Sequence, residues 1–219
     1  MRVLLTRARE SSPALAGRLR DEGFEVVERP LIRIEPIDGP PIRTDGYDWV
    51  VLTSRIAVDR LFARLDGRLD RVAVVGPGTA AALRERGVEP ALVATDSTQE
   101  GLLAELPRPA GRVLFAGAEG ARDLLVRELG ADFVPLYRTL EEAPDRLPEA
   151  DLAVLASASA ARALAAAGTD LPCVSIGPQT TGEAERRGLR VVAEARRHDL
   201  DGVVAAVKLA ASSIASSRS

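Results

Sequence analysis

The chain holds one cysteine, one histidine and, among 29 basic residues, a single lysine, Lys208. Cys173 cannot close an internal disulfide by itself, and with only His198 to join it the sequence offers no Cys/His set of metal-ligand spacing. The formal net charge is −3 and no basic stripe is present, so the phosphate neutralisation on which nucleic-acid affinity depends has no source. No apolar run approaches the roughly 20 residues that span a bilayer. Met1-Arg2-Val3-Leu4-Leu5 passes straight into Thr6-Arg7 where a signal peptide would continue its apolar core. A Walker sequence, a Ser-His-Asp set and a CxxC pair are all missing. These absences point to a cytoplasmic protein that works without nucleic acid, membrane or metal.

What is present is a chain able to bury a core: 219 residues, 46% hydrophobic and 28% charged. At roughly 150 residues per domain this means one large domain or two small ones. Short apolar runs ending in small or hydroxyl residues alternate with helix-like stretches, the pattern of βα units around a parallel sheet. Strands are predicted at 3–6, 25–27, 49–52, 72–75, 91–94, 112–115, 133–136, 152–155, 173–176 and 190–193. Helix signals stand between them. Ser12-Pro13 is read as N-cap and first-turn proline, Gly23 as a stop, Ser97 with Glu100 as a capping box, and Asp199 as the cap of the last helix. The tail 210–219, small and polar, is expected to be disordered.

The sequence also repeats itself. DWVVLTSRIAVDRL from Asp48 aligns without gaps on DLAVLASASAARAL from Asp151, and VGPGTAAALRERG from Val75 on IGPQTTGEAERRG from Ile176. Gly101 and Gly202 stand at the same separation, and Pro30-Leu31-Ile32-Arg33 matches Pro135-Leu136-Tyr137-Arg138. A period of about 100 residues is a duplicated domain, not a solenoid. The expected architecture is α/β, with two similar parallel-sheet lobes and a cleft between them. Ligands of such sheets bind beyond the carboxyl ends of the strands, here Thr53-Ser54, Gly76 to Thr79, Gly117, Ser157 and Gly177 to Thr180.

Each of these turns sets a hydroxyl at a predicted helix N-terminus. Thr53, Ser54, Thr79, Ser157 and Thr180 could simply cap their helices. The same geometry leaves backbone N–H groups and a positive dipole end that suit an anionic ligand. Gly76-x-Gly78-x-x-Ala81 with Asp96 mimics a dinucleotide fingerprint, but the second copy replaces Gly78 with Gln179 and keeps only Gly, Pro and Thr. Tyr137 stands where the first copy has Ile32. It reads either as a half-buried strand tyrosine or as the best general-acid candidate in the chain, since a phenol near pKa 10 is protonated at neutral pH. His198 is read as part of a solvated turn and Cys173 as structural.

The ordered set VLLTR, DWVVLTSRIAV, VAVVGPGTAAAL, VLFAGAEGARDLL, PLYRT and IGPQTTGEAERRGL followed by DLDGVVAAV resembles the uroporphyrinogen-III synthase family across all but the tail. The resemblance implies two lobes joined by a two-stranded β linker, with exchange of segments between the copies. One lobe would hold residues 1–34 with 142–209 and the other 37–137, with crossings around 31–36 and 137–141. It implies a cofactor-free lyase, acting as a monomer, that cyclises the linear tetrapyrrole hydroxymethylbilane with loss of water and inversion of the fourth ring. Tyr137 matches the family's tyrosine and would protonate the leaving hydroxyl. Thr53, Ser54, Thr79, Ser157 and Thr180 would bind the substrate's carboxylates, with Gly117 at a strand end and Arg7 and Arg122 as charge partners. A non-catalytic two-lobed module for small anions, or a nucleotide-dependent oxidoreductase, are the other readings of the residues.

Overall fold

The computed structural model describes residues 1–8, 12–142, 144 and 146–217. In chain order the elements are β1 (Arg2–Leu5), α1 (Pro13–Asp21), β2 (Glu25–Glu28), β3 (Ile32–Pro36), β4 (Ile42–Arg43), β5 (Trp49–Leu52) and α2 (Arg55–Phe62). Next come β6 (Leu65–Asp66), β7 (Val72–Val74), α3 (Pro77–Glu85), β8 (Leu92–Val93), α4 (Gln99–Glu105), β9 (Val113–Ala118), α5 (Leu124–Leu129) and β10 (Asp132–Glu141). The chain closes with β11 (Leu152–Leu155), α6 (Ala158–Ala166), β12 (Cys173–Ser175), α7 (Pro178–Arg186), β13 (Val191–Glu194) and α8 (Leu200–Ser217). The fold is α/β with mostly parallel sheets. It divides into two compact units, Met1–Ile34 with Leu140–Ser219, and Glu35–Thr139.

The discontinuous unit is built on a five-stranded sheet in the order β13-β12-β11-β1-β2. Its pairings are parallel, with Val3 opposite Leu152 and Val26, so the N-terminal strand sits among strands from the last third of the chain. Alternation along the strands sends side chains to opposite faces. Val3, Leu5, Leu152 and Val154 pack with Leu15 and Leu19 of α1 and Val203 and Val207 of α8, whereas Leu4, Ala153, Leu155 and Cys173 pack with Ala161 and Leu164 of α6 and Ala184 of α7. Burial on both faces is why these strands read as unbroken apolar runs.

The continuous unit carries the order β3-β10-β9-β5-β7-β8, with β4 and β6 as a separate parallel pair. Phe115, Trp49, Val51 and Ala73 face Leu102 and Leu106, beside α4, and Leu125 of α5. β3 and β10 run in opposite directions, joined by Ile37 N–H to the Leu136 carbonyl (2.9 Å) and Glu142 N–H to the Leu31 carbonyl (2.8 Å). The chain passes from one unit to the other within these two strands.

Three local expectations are corrected. Residues 210–217, expected to lack structure, complete α8, because Ala210 and Ile214 extend the Val203/Val207 stripe at helical spacing and pack on the same core. The cap of α4 is Thr98, not Ser97: its backbone is extended and its Oγ1 accepts the Gly101 N–H at 3.0 Å, while Glu100 turns outward to Arg122. Ser12 precedes α1 in helical conformation and makes no cap hydrogen bond. Asp199 does cap α8, accepting the Gly202 N–H at 2.8 Å. Among the described residues no helix is long and apolar enough to cross a membrane.

Candidate functional site

In the continuous unit, β5 ends at Leu52 and Thr53-Ser54 leads into α2. Ser54 is extended (φ −158°, ψ 156°) and its Oγ accepts the Ala57 N–H at 3.0 Å, so the side chain is fixed by the helix it caps. On β10 the register against β9 slips between Pro135 and Tyr137, which pair with Gly117 and Ala118. Such a bulge re-aims the following side chain. Tyr137 is 6% exposed, and its phenol oxygen lies 3.0 Å from Ser54 Oγ. Burial pushes its pKa up and the Ser54 hydrogen bond pulls it back down. The phenol therefore stays protonated at neutral pH.

Gly117 completes this corner. A Cβ at that position would press on the Phe115 ring, 3.2 Å from Cε2, and would meet Thr53 Oγ1 at an ordinary 3.8 Å, so this glycine lies beside the threonine. The structure thus brings together four of the residues singled out from sequence: Thr53, Ser54, Gly117 and Tyr137. Thr79, 5% exposed, lies in the first turn of α3 in the same unit. Arg122 is held by Glu100 through two hydrogen bonds, 2.5 and 2.8 Å, so its charge is already met. That pairing holds the Glu100 carboxyl at about 2.

Ser157, Thr180 and Arg7 belong to the discontinuous unit. Ser157 caps α6, accepting the Ala160 N–H at 3.2 Å, and its Oγ also lies 3.0 Å from Ser159 Oγ. Thr180 is 4% exposed in the first turn of α7. Beside it Thr181 Oγ1 meets Ser175 Oγ at 2.5 Å and the Glu194 carboxylate. Arg7 follows β1, half-buried; loss of water holds its guanidinium below the usual arginine value, and no described residue pairs with it.

One feature escaped the sequence reading. His198 lies in the turn before α8, as read, but is half-buried there: its ring packs on Gly177, where a Cβ would come within 2.7 Å of Cδ2. In the first copy Ser97 occupies the same place against Gly76. The aligned pairs Gly76/Ser97 and Gly177/His198 carried the signal, but a glycine's neighbour is invisible until the turn is folded.

Parallel strands that carry hydroxyls and helix N-termini at their carboxyl ends, with a buried phenol beside one of them, define an α/β protein with polar strand ends. A family model described as uroporphyrinogen-III synthase HemD matches residues 13–205. The chain belongs to the uroporphyrinogen-III synthase family, an enzyme family of porphyrin biosynthesis. It is 27% identical over 247 aligned positions to the uroporphyrinogen-III synthase of Synechococcus elongatus, covering 94% of each chain. It is 29% identical over 159 positions to a putative uroporphyrinogen-III synthase of Methanocaldococcus jannaschii, covering 68% of this chain and 65% of that protein. With the porphyrin biosynthesis protein HemD of Ruminiclostridium josui the identity is 29% over 245 positions, spanning 47% of that longer protein. Crystal structures of uroporphyrinogen III synthases share the fold. A Thermus thermophilus mutant has a TM-score of 0.65 at 19% identity, and the Helicobacter pylori enzyme 0.65 at 16%, each over 97% of this chain and 99% of the other.

Proposed function

We propose that this chain cyclises hydroxymethylbilane to uroporphyrinogen III, releasing water and inverting the fourth pyrrole. The departing hydroxyl leaves as water when the Tyr137 phenol gives it a proton. The electron-rich pyrrole supplies the electrons that break the C–O bond, giving an azafulvene without any protein nucleophile. The ring carbon that already bears a substituent attacks first. The resulting spiro intermediate fragments and recloses inverted, and the proton lost from the closing ring carbon balances the one Tyr137 gave. The protein's task is to hold the chain in the geometry that favours this attack.

The observation that carries the site is the buried Tyr137 phenol at the strand ends, 3.0 Å from a hydroxyl locked by its own helix. Around it, Thr53 and Thr79 with the first-turn amides of α2 and α3 take substrate carboxylates. The discontinuous unit has its own carboxylate-binding candidates in Ser157, Thr180 and Arg7. Arg7 is the better charge partner, because a carboxylate at Arg122 must displace Glu100. A lone free cysteine, buried at Cys173, suits a reducing cytoplasm, and one chain is the proposed working unit.

Hydroxymethylbilane generated in situ by a deaminase should be converted by the purified protein to the type III isomer, read by chromatography after oxidation to the porphyrin. Product that stays type I overturns the reading.

A further inference from the structure

Ser54, expected to bind substrate, stands between a helix N-terminus and the phenol. Its Oγ is already anchored by the Ala57 N–H at 3.0 Å and sits 3.0 Å from the Tyr137 phenol oxygen. A serine hydroxyl has one proton to donate, and here the phenol oxygen is the acceptor within reach. We infer that Ser54 is a positioning residue for Tyr137, donating its hydroxyl proton to the phenol oxygen so that the phenol's own proton is left free for the departing hydroxyl of the substrate.

The direction of donation follows from the task. Were Tyr137 to donate to Ser54, its proton would be committed inside the protein and unavailable to a leaving group. With the serine as donor, the phenol keeps its proton outward, and the phenolate left after transfer is held by a hydrogen bond at the N-terminus of α2, where the helix dipole favours negative charge. The duplication sharpens the point. Ser157, the aligned cap in the second copy, meets Ser159 instead, and the residue aligned with Tyr137 is Ile32. Both copies keep the capping serine, whereas the phenol beside it belongs to one alone.

This inference rests on Tyr137 being the proton donor, and the test separates the two. Steady-state rates of type III formation are measured for Y137F, S54A, S54T and the double variant S54A/Y137F. T98A serves as control, because Thr98 caps α4 through the same kind of bond (3.0 Å to Gly101 N–H) without touching the phenol. S54A should lower kcat by about tenfold to a hundredfold with KM within about twofold, S54T should recover most of it, and T98A should stay within about twofold of the parent. In the Y137F background S54A should cost almost nothing more, since the two act as one unit. With tyrosine labelled by carbon-13, the Tyr137 Cζ resonance should move in S54A, return in S54T and stay put in T98A. If Y137F is slow but S54A keeps the parent kcat, or costs as much in the Y137F background as in the parent, Ser54 does not position the phenol and the Tyr137 reading stands. Full activity in Y137F removes both.

Discussion

Glu100 and Arg122 face each other in a two-pronged ion pair, Nη1 to Oε1 at 2.5 Å and Nη2 to Oε2 at 2.8 Å. The Arg122 hydrogen bonds lower the Glu100 pKa from 4.5 to about 2. A carboxylate with a depressed folded-state pKa stabilises the fold above its unfolded value and loses that contribution as pH falls through the folded value. The side chains are 40% and 55% exposed, so solvent screening keeps the pair's worth to about 1 kcal/mol or less. Denaturant melts of E100Q against the parent should therefore differ slightly at pH 7 and converge as pH drops from 4.5 to 2. In E100Q the freed Arg122 should also lower KM for the bilane; an unchanged KM would take Arg122 out of substrate binding.

Tyr137→Phe removes one oxygen atom and its hydrogen bond to Ser54 while keeping the ring. The rate of type III formation should fall about 10² to 10⁴-fold, the range for loss of a general acid, while the melting transition keeps its cooperativity. An unchanged rate would reassign the residue to packing.

Gly101 and Gly202 are aligned across the duplication, each three residues after the cap of its helix. A Cβ on Gly101 would overlap the Asp96 carbonyl oxygen, and one on Gly202 the Arg197 carbonyl oxygen. Alanine normally stabilises a helix relative to glycine. Here the sign should invert: G101A and G202A should each lose about 1 to 3 kcal/mol in urea titrations, the cost of overpacking against backbone that cannot yield. A gain in stability would show that the turns before these helices can shift.

Cys173 is fully buried on β12, and its thiol is pushed up to about 12, with burial as the leading cause. The thiolate is the reactive form, so a disulfide reagent at pH 8 should leave the folded protein unmodified and titrate one equivalent after denaturation. Rapid labelling of the native protein would mean that the β11–β12 region opens readily.

Much of this was legible before folding. The ten predicted strands correspond to ten of those observed; the central ones, β5, β7, β11 and β12, are buried on both faces and so are written as runs of apolar residues that need no partner to be recognised. Strands β3, β4 and β6 were not read from residue pattern: Ile32–Pro36 alternates with charged residues and entered only through the linker that the resemblance implies, and the other two are two residues long. The α4 cap was misplaced by one position because Ser97 and Thr98 are equally good caps by type; packing of Ser97 against Gly76 decided between them.

The sequence by itself determined the duplicated plan, the hydroxyls at the strand ends and the singularity of Tyr137, since these depend on residue type and spacing along one chain. Only the tertiary structure decided that β1 lies between β2 and β11, that Ser54 meets Tyr137 while its twin meets Ser159, and that Arg122 is already held by Glu100. Each of these pairs residues at least one element apart, apart from the Ser157/Ser159 contact within a single turn. Such pairings are set by the register in which strands and helices pack, not by the chemistry of either residue alone.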